Sequence, residues 1–272
     1  MMTTSRDTQS DDDVKSSPGR GHALVTGAGT GIGRATALRL AADGWRLTLM
    51  GRSEATLEET AARITSSPGS GVAVAVADIT DRVAVETALE RTVGRFGPLG
   101  AVIANSGQGG PNQPGPGDRF SDLVQVNLIG TYNTLRAAQR VLAPAAGPRH
   151  MVVVASILAR IGVAGYTGYC ASKTGLLGLV RALAQELAPE EVMVNAICPG
   201  WVDTEMARAG ISDMAREMEV DYAEALGVAM AAVPLGRMSA PGDVAAFISW
   251  LVGGEARGIT GQSLDINNGA WM

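Results

Sequence analysis

The chain has 272 residues, 46% of them apolar, and a formal net charge of −5. That is enough apolar material for one large α/β domain, and the negative balance argues against a basic nucleic-acid footprint. Two cysteines, Cys170 and Cys198, make no disulfide framework, and no apolar run approaches the roughly 18 residues of a membrane span, so a reducing cytoplasm fits best.

The opening stretch MMTTSRDTQSDDDVKSSPGR is polar, unpatterned and without the apolar core of a signal peptide; a disordered tail is expected over 1–20. From there short apolar runs alternate with longer helix-like segments. HALVTG (22–27), WRLTLMG (45–51), GVAVAVA (71–77), LGAVIAN (99–105), HMVVVAS (150–156), EVMVNAI (191–197) and GQSLDI (261–266) read as strands. Several are apolar on both parities, as a parallel sheet covered on both faces requires. Helices are predicted at about 31–43, 53–66, 80–95, 118–142, 166–188 and 240–253. Ser53, Thr80 and Asp243 serve as start signals. The alternation implies right-handed βαβ units and a doubly wound α/β sheet of about seven parallel strands with helices on both faces, forming one domain over 21–272.

Two segments break the pattern. GQGGPNQPGPGD (107–118) is too rich in Gly and Pro to be an element. Residues 204–238 are helical yet interrupt the alternation, and are expected to form a lid. In open α/β sheets ligands sit beyond the carboxyl ends of the strands, so both segments should flank the site. His22 and His150 lie near strand starts and away from the polar clusters, which disfavours a histidine-based metal site or a Ser-His-Asp triad.

Between the first strand and the first helix lies LVTGAGTGIGRATAL. Gly27, Gly31 and Gly33 fit a T-G-x-x-x-G-x-G turn, in which residues without a Cβ let a pyrophosphate approach backbone N–H groups at a helix N-terminus. No Walker lysine follows, which disfavours an NTPase. The second strand ends at Gly51 and Arg52. An acidic residue there would hold the ribose 2′-hydroxyl of NAD, whereas an arginine suits the 2′-phosphate of NADP. Asp78, after the third strand, can accept from an adenine amino group, cap the next helix, or both.

At this point the sequence resembles the short-chain dehydrogenase/reductase family over about 21–272. The motifs are TGAGTGIG (26–33), ADIT (77–80), ANSG (104–107), VNLIG (126–130), VVVAS (152–156), YCASK (169–173) and NAICPGWVDT (195–204), all in the family's order. The resemblance implies an NAD(P)-binding Rossmann-like fold with a catalytic set of Asn127, Ser156, Tyr169 and Lys173, of which Tyr169 and Lys173 also contact the cofactor. It implies cofactor contacts from Gly27, Thr30, Gly31, Ile32 and Gly33 in the turn, and from Arg52, Asp78 and Ile79 beside the adenosine. Further contacts would come from Asn105, Ser106 and Gly107 after strand four, and from Pro199 and Gly200 after strand six. The backbone of Val202 and the hydroxyl of Thr204 would hold the carboxamide, Lys173 would also bond the nicotinamide ribose, and Asn127 would hold a relay water. The family's usual Asn-Asn-Ala-Gly is here Ala104-Asn105-Ser106-Gly107. That keeps Asn105 and the glycine and adds a hydroxyl at Ser106.

The chemistry asks for a proton donor beside the hydride carrier. On a helix Lys173 lies one turn beyond Tyr169. A charge 5–6 Å away is worth roughly 3 kcal/mol at an effective dielectric near 20, enough to bring a phenol from about 10 towards 8. Ser156 would hydrogen-bond the substrate oxygen. Tyr132–Arg136 has the same spacing without the surrounding motifs and is assigned no chemistry, and Tyr166 is read as a wall or packing residue. The lid's five methionines (206, 214, 218, 230 and 238) fit either a bulky apolar substrate or plain packing. Its three arginines against six acids argue against docking an acidic carrier protein.

The leading expectation is an NADPH-dependent reductase of a small-molecule ketone, whether 3-oxoacyl, polyketide-like or cyclic, with NAD as the other cofactor it could use. The alternatives are an NAD-dependent alcohol or cis-dihydrodiol dehydrogenase and a non-catalytic dinucleotide-binding scaffold. Ala171, Gly175, Gly178 and Ala182 on helix 166–188 would permit close approach of a second copy, so a homo-oligomer, a tetramer by resemblance, is expected, with no nucleic acid or membrane partner.

Overall fold

The computed structural model describes residues 20–65, 71–144 and 149–272. Of the expected tail only Arg20 falls within them, its N–H meeting Gly44 O at 3.2 Å; the rest lies outside the described residues. Seven strands form one parallel sheet in the order β3-β2-β1-β4-β5-β6-β7. They are β1 (His22–Thr26), β2 (Arg46–Gly51), β3 (Val72–Val76), β4 (Leu99–Ala104), β5 (Arg149–Val154), β6 (Val192–Pro199) and β7 (Ser263–Ile266).

The two-residue period of the strands sorts the core. In β5, Met151 and Val153 join the apolar layer under helices α3 (Arg82–Phe96), α5 (Thr131–Gln139) and α6 (Thr167–Leu187). Val152 and Val154 point the other way, into the layer under α1 (Gly31–Ala42), α2 (Glu54–Thr65) and α9 (Pro241–Val252). Burial on both faces is why the strands read as nearly continuous apolar runs.

Three features depart from expectation. The helix predicted over 118–142 is three pieces: α4 (Phe120–Val124), a π-helical stretch Gln125–Gly130, and α5. Gly130 ends the π turn where a Cβ would lie 2.7 Å from the Ile79 side chain, so the chain passes close to the loop after β3. The start signal for α3 is not Thr80 but Asp81, whose carboxylate accepts from Ala84 N at 3.0 Å. Asp78 is therefore no cap for α3; it accepts instead from the N–H and hydroxyl of Thr80 at 2.9 and 2.8 Å. Asp243 does act at its helix start, its carboxylate accepting from Ala240 N at 2.9 Å with Pro241 opening α9.

The interruption over 204–238 is a helical pair, α7 (Glu205–Met218) and α8 (Tyr222–Ala231), with an apolar cluster of its own that includes Ile211, Ala225 and Met230. No helix among the described residues is long and apolar enough to cross a membrane. Both histidines sit at strand N-termini, opposite the glycine turn. His22 hydrogen-bonds Gly97 O and Thr48 Oγ1, each at 2.8 Å, and His150 is buried.

Candidate active site

The sheet order reverses between β1 and β4, where the loops after the two strands diverge and leave a crevice. A cleft of about 400 Å³ opens there. Its floor is the glycine turn, held open by backbone geometry. Gly27 and Gly31 have φ of 64° and 49°, where a side chain is strained. A Cβ on Gly33 would collide with Gly27 O, one on Gly29 with Thr56, and one on Gly31 would lie 3.0 Å from the Thr204 methyl. The turn ends at Thr30, which precedes α1 in extended conformation. Glycines that a Cβ would fill, at the N-terminus of a helix, fit a pyrophosphate.

Seven of the seventeen expected cofactor residues line this cleft: Gly27, Thr30, Arg52, Asp78, Ile79, Ser106 and Gly107. Ile32 faces the apolar layer beneath the sheet, so its contribution to a nucleotide is limited to its backbone. Arg52 is 64% exposed and lies 4.0 Å from Asp78, a loose pair at the cleft mouth. Asn105 is a strut: its amide donates to Thr26 O at 3.0 Å and Gly27 O at 3.4 Å. Thr26, which sequence reasoning passed over, accepts at Oγ1 from the N–H groups of both Asn105 and Ser106 at 3.0 Å. Thr60 was also missed; from α2 its hydroxyl donates to Ala28 O at 3.1 Å. Beyond β6, Pro199 ends the strand. Gly200 lies where a Cβ would be 3.0 Å from the Asn267 backbone. Val202 is buried and bridges Ser239. Thr204 caps α7, accepting from Ala207 N at 3.3 Å.

The four expected catalytic residues come together at the other end of this crevice. Ser156 follows β5 and accepts from Leu158 N at 3.1 Å. Tyr169 lies in the first turn of α6, and Lys173 one turn on, 5% exposed, donates to Val154 O at 2.9 Å. The ammonium is 5.7 Å from the Tyr169 ring centroid. Asn127, fully buried in the π-helical stretch, accepts from Gln108 N at 2.8 Å and donates to Gln108 O at 3.0 Å and Ser172 Oγ at 3.1 Å. Ser172 in turn donates to Tyr169 O at 2.8 Å. It stands inside the YCASK motif, yet only the structure gives it a partner. Gly107 brings the ends together: a Cβ there would lie 3.0 Å from Asn127 Oδ1 and 3.4 Å from Lys173 Nζ.

The electrostatics correct one expectation. Burial raises the Tyr169 phenol above its ordinary value, and the opposing hydrogen bond with Ser156 does not overcome it. Burial also pushes Lys173 down to about 8. Spacing counts the lysine's charge and predicts a lowered tyrosine; in the folded protein desolvation is the leading influence on both groups and drives each towards its neutral form. The phenol is therefore protonated at neutral pH. By contrast the surface look-alike, Tyr132–Arg136, is an exposed tyrosine under an arginine that pairs with Glu186 at 2.8 Å.

The flanking segments supply more than walls. Tyr166, partly buried, has its phenol raised by burial and by Glu217 and Asp213 of α7, so it faces the lid. Met206 is 51% exposed and reaches from α7 across to Gly109, where a Cβ would lie 2.8 Å from its sulfur. Met214, Met230 and Met238 instead pack within the lid. Gly175 lets α6 approach Leu128 of the same chain, where a Cβ would lie 2.8 Å from the leucine side chain. Among the described residues no three His, Cys, Asp or Glu side chains gather as a metal would need.

Comparison with known proteins agrees with this geometry. The family model for short chain dehydrogenases matches residues 21–219. The 3-oxoacyl-[acyl-carrier-protein] reductase FabG of Salmonella typhimurium is 32% identical over 252 residues, covering 92% of this chain and 97% of the relative. A variant of actinorhodin polyketide ketoreductase with NADPH superposes with a TM-score of 0.84 at 31% identity, covering 92% of this chain and 97% of that one. A short chain dehydrogenase from Burkholderia cenocepacia in complex with NADP gives 0.80 at 32% identity, with 93% and 98% covered. The chain belongs to the short-chain dehydrogenase/reductase family of oxidoreductases.

Proposed function

We propose that the protein is an NADPH-dependent reductase that converts a ketone to the secondary alcohol. The observation that carries this reading is the meeting of the partly buried Tyr169 phenol with the buried Ser156 and Lys173. A protonated phenol within reach of the substrate oxygen is the proton donor that carbonyl reduction needs. NADPH, when bound, supplies the hydride. Ser156 orients and polarises the carbonyl oxygen, Tyr169 delivers its proton to that oxygen, and Lys173 carries positive charge next to the phenolate that results. Asn127 fastens the loop at Gln108 and positions the relay by which the phenol is reprotonated. Gly27, Thr30, Gly31 and Gly33 would hold the pyrophosphate. Arg52, exposed and only loosely paired, would take the 2′-phosphate, as the NADP-bound and NADPH-bound relatives make reasonable.

The substrate we propose is a free, largely apolar ketone. Two of the lid's three arginines are engaged, Arg208 with Asp203 at 2.7 Å and Arg216 with Asp213. Glu217 faces Tyr166 near the entrance. Such a mouth repels an acidic carrier, although one relative is named for a carrier-bound substrate. We further propose a cytoplasmic homo-oligomer, a tetramer, built on the face where Phe120, Ile129 and Tyr132 are exposed. The test is a panel of cyclic ketones, β-keto esters, their alcohols and an acetoacetyl carrier thioester, followed at 340 nm with NADPH and NADH. Reduction of free ketones with NADPH is expected. Faster alcohol oxidation with NAD would overturn the direction and the cofactor together, and preference for the carrier thioester would overturn the substrate class.

A further inference from the structure

The Gly/Pro-rich loop 107–118 carries a polar node that no motif announces. Asn112 is 7% exposed, and its side chain ties the first turn of α6 to Asp118 at the end of the same loop. Its Oδ1 accepts from Gly168 N at 2.7 Å, in the first turn of α6. Its Nδ2 donates to Thr167 Oγ1 and to Asp118 Oδ1, each at 3.0 Å. Asp118 Oδ1 also accepts from Phe120 N at 3.0 Å, at the start of α4. The backbone joins in, Asn112 N donating to Gly165 O at 2.8 Å.

The first turn of a helix leaves N–H groups without intrahelical partners. The residue preceding α6, Tyr166, gives no side-chain cap. Asn112 therefore caps this helix from 56 residues upstream, while Asp118 caps the helix that continues into the π-helical stretch holding Asn127. Gly168 permits the arrangement, since a Cβ there would lie 3.0 Å from Phe120 Cα and 3.2 Å from Asn112 Oδ1. The rest of the loop is fastened too. Arg119 donates to Gly109 O at 3.2 Å, and Asn127 grips both backbone groups of Gln108.

We propose that Asn112, with Asp118 as its partner, is a positioning residue that sets the first turn of α6, and so the Tyr169 phenol, relative to Asn127 and the substrate wall. Tyr169 is the residue directly after the capped Gly168, so fraying of that turn moves the phenol before it moves Lys173. The nucleotide cleft shares only Gly107 and Gln108 with this loop, and Gln108 is held by Asn127 rather than by Asn112, so the cleft should be left intact. The inference rests on the reading of Tyr169 as proton donor.

The experiment compares N112A, N112D and the exchanged pair N112D/D118N in the full chain, with Y169F as control. N112A should lower kcat for the best ketone of the panel roughly ten- to hundredfold, as a misplacement of about 1 Å does, with the dissociation constant for NADPH within about twofold. Amide exchange over 166–170 should rise. N112D keeps the acceptor for Gly168 but sets two carboxylates against each other, so it should also be slow. The exchanged pair restores one acid and one amide, and should recover most of both the rate and the protection. Unchanged exchange in N112A overturns the proposal whatever the turnover. So does an N112A rate within twofold of the parent while Y169F is inactive. Failure of the exchanged pair to recover protection overturns it as well. An active Y169F would instead overturn the proton-donor reading, and the exchange result would still decide the role of Asn112.

Discussion

The two ends of the crevice are built by different means. The nucleotide end is a backbone construction: glycines that admit no Cβ, a helix N-terminus, and struts from Thr26, Asn105 and Thr60 that hold the turn by main-chain contacts. The catalytic end is a side-chain construction, in which Asn127, Ser156, Ser172, Tyr169 and Lys173 from three segments meet around a phenol and an ammonium that burial has pushed towards their neutral forms. A backbone site announces itself locally, by glycine spacing. A side-chain site depends on what the fold brings near, and on how dry it becomes.

The sharpest way to break this contrast is one substitution at each end. Tyr169→Phe removes the proton and no contact with the turn. Turnover should fall at least about a thousandfold, within the range for a general acid, while NADPH affinity, read by fluorescence titration, stays within about twofold. Gly33→Ala drives a Cβ into Gly27 O. The turn must open, so NADPH affinity should fall roughly a hundredfold, and stability by a few kcal/mol as a strained site does. If Gly33→Ala slowed only the chemical step, the division into two ends would be wrong.

A smaller effect is expected from Arg52→Ala, because the arginine is exposed and the contact is a surface one. The KM for NADPH should rise about tenfold and that for NADH should hold. An equal rise for both cofactors would remove Arg52 from the 2′-phosphate and return the choice of cofactor to other residues.

Why some of this was legible and some not follows from the same contrast. Strand runs and the glycine turn are local patterns, and the sheet order follows from alternation. The break in helix 118–142 is not local in that sense: periodicity calls for a helix but does not distinguish an α from a π hydrogen-bond register, and the turn exists where Gly130 meets Ile79. Thr80 and Asp81 are both good start residues, and only the backbone decides between them. The spacing of small residues on α6 does not show that Gly175 also serves the approach of Leu128 within the chain. Asn112 carries no local signal because its partners at α6 lie 55 and 56 residues away. The direction of the Tyr169 shift was missed for a different reason. Spacing supplies the lysine's charge but not the desolvation that competes with it.

That competition makes pH a probe of the catalytic end. Lys173 is held down to about 8, so its charge is present below that value and lost as pH rises through it. In the proposed reaction that charge stands beside the developing phenolate, and kcat/KM for NADPH reports groups of the free enzyme. It should therefore be level from pH 6 to 7 and fall above about 8. Lys173→Arg, charged throughout, should move that limb upward even if its plateau is lower. A limb that stays near 8 in the arginine variant would assign it to another group.

The smallest expected effect tests the far end of the sheet. His150 is buried among apolar side chains at the start of β5, and burial followed by the charge of Arg257 lowers it to about 4. A depressed histidine is neutral in the folded state and takes up its proton more readily when unfolded. Its contribution is thus fully present above about 6.5 and is lost progressively as pH falls towards 4. The difference corresponds to about 3 kcal/mol at most. For a chain of this size that means several degrees of Tm between pH 7 and 4.5. His22, also lowered by burial, acts in the same direction, so His150→Leu should flatten the acid slope without abolishing it. Turnover at pH 7 should be unchanged, because the residue lies at the opposite end of the strand from Ser156. A variant whose Tm falls as steeply on acidification as the parent's would place the acid sensitivity in the carboxylate pairs instead, and acid stability would then no longer be a property of the sheet's far edge.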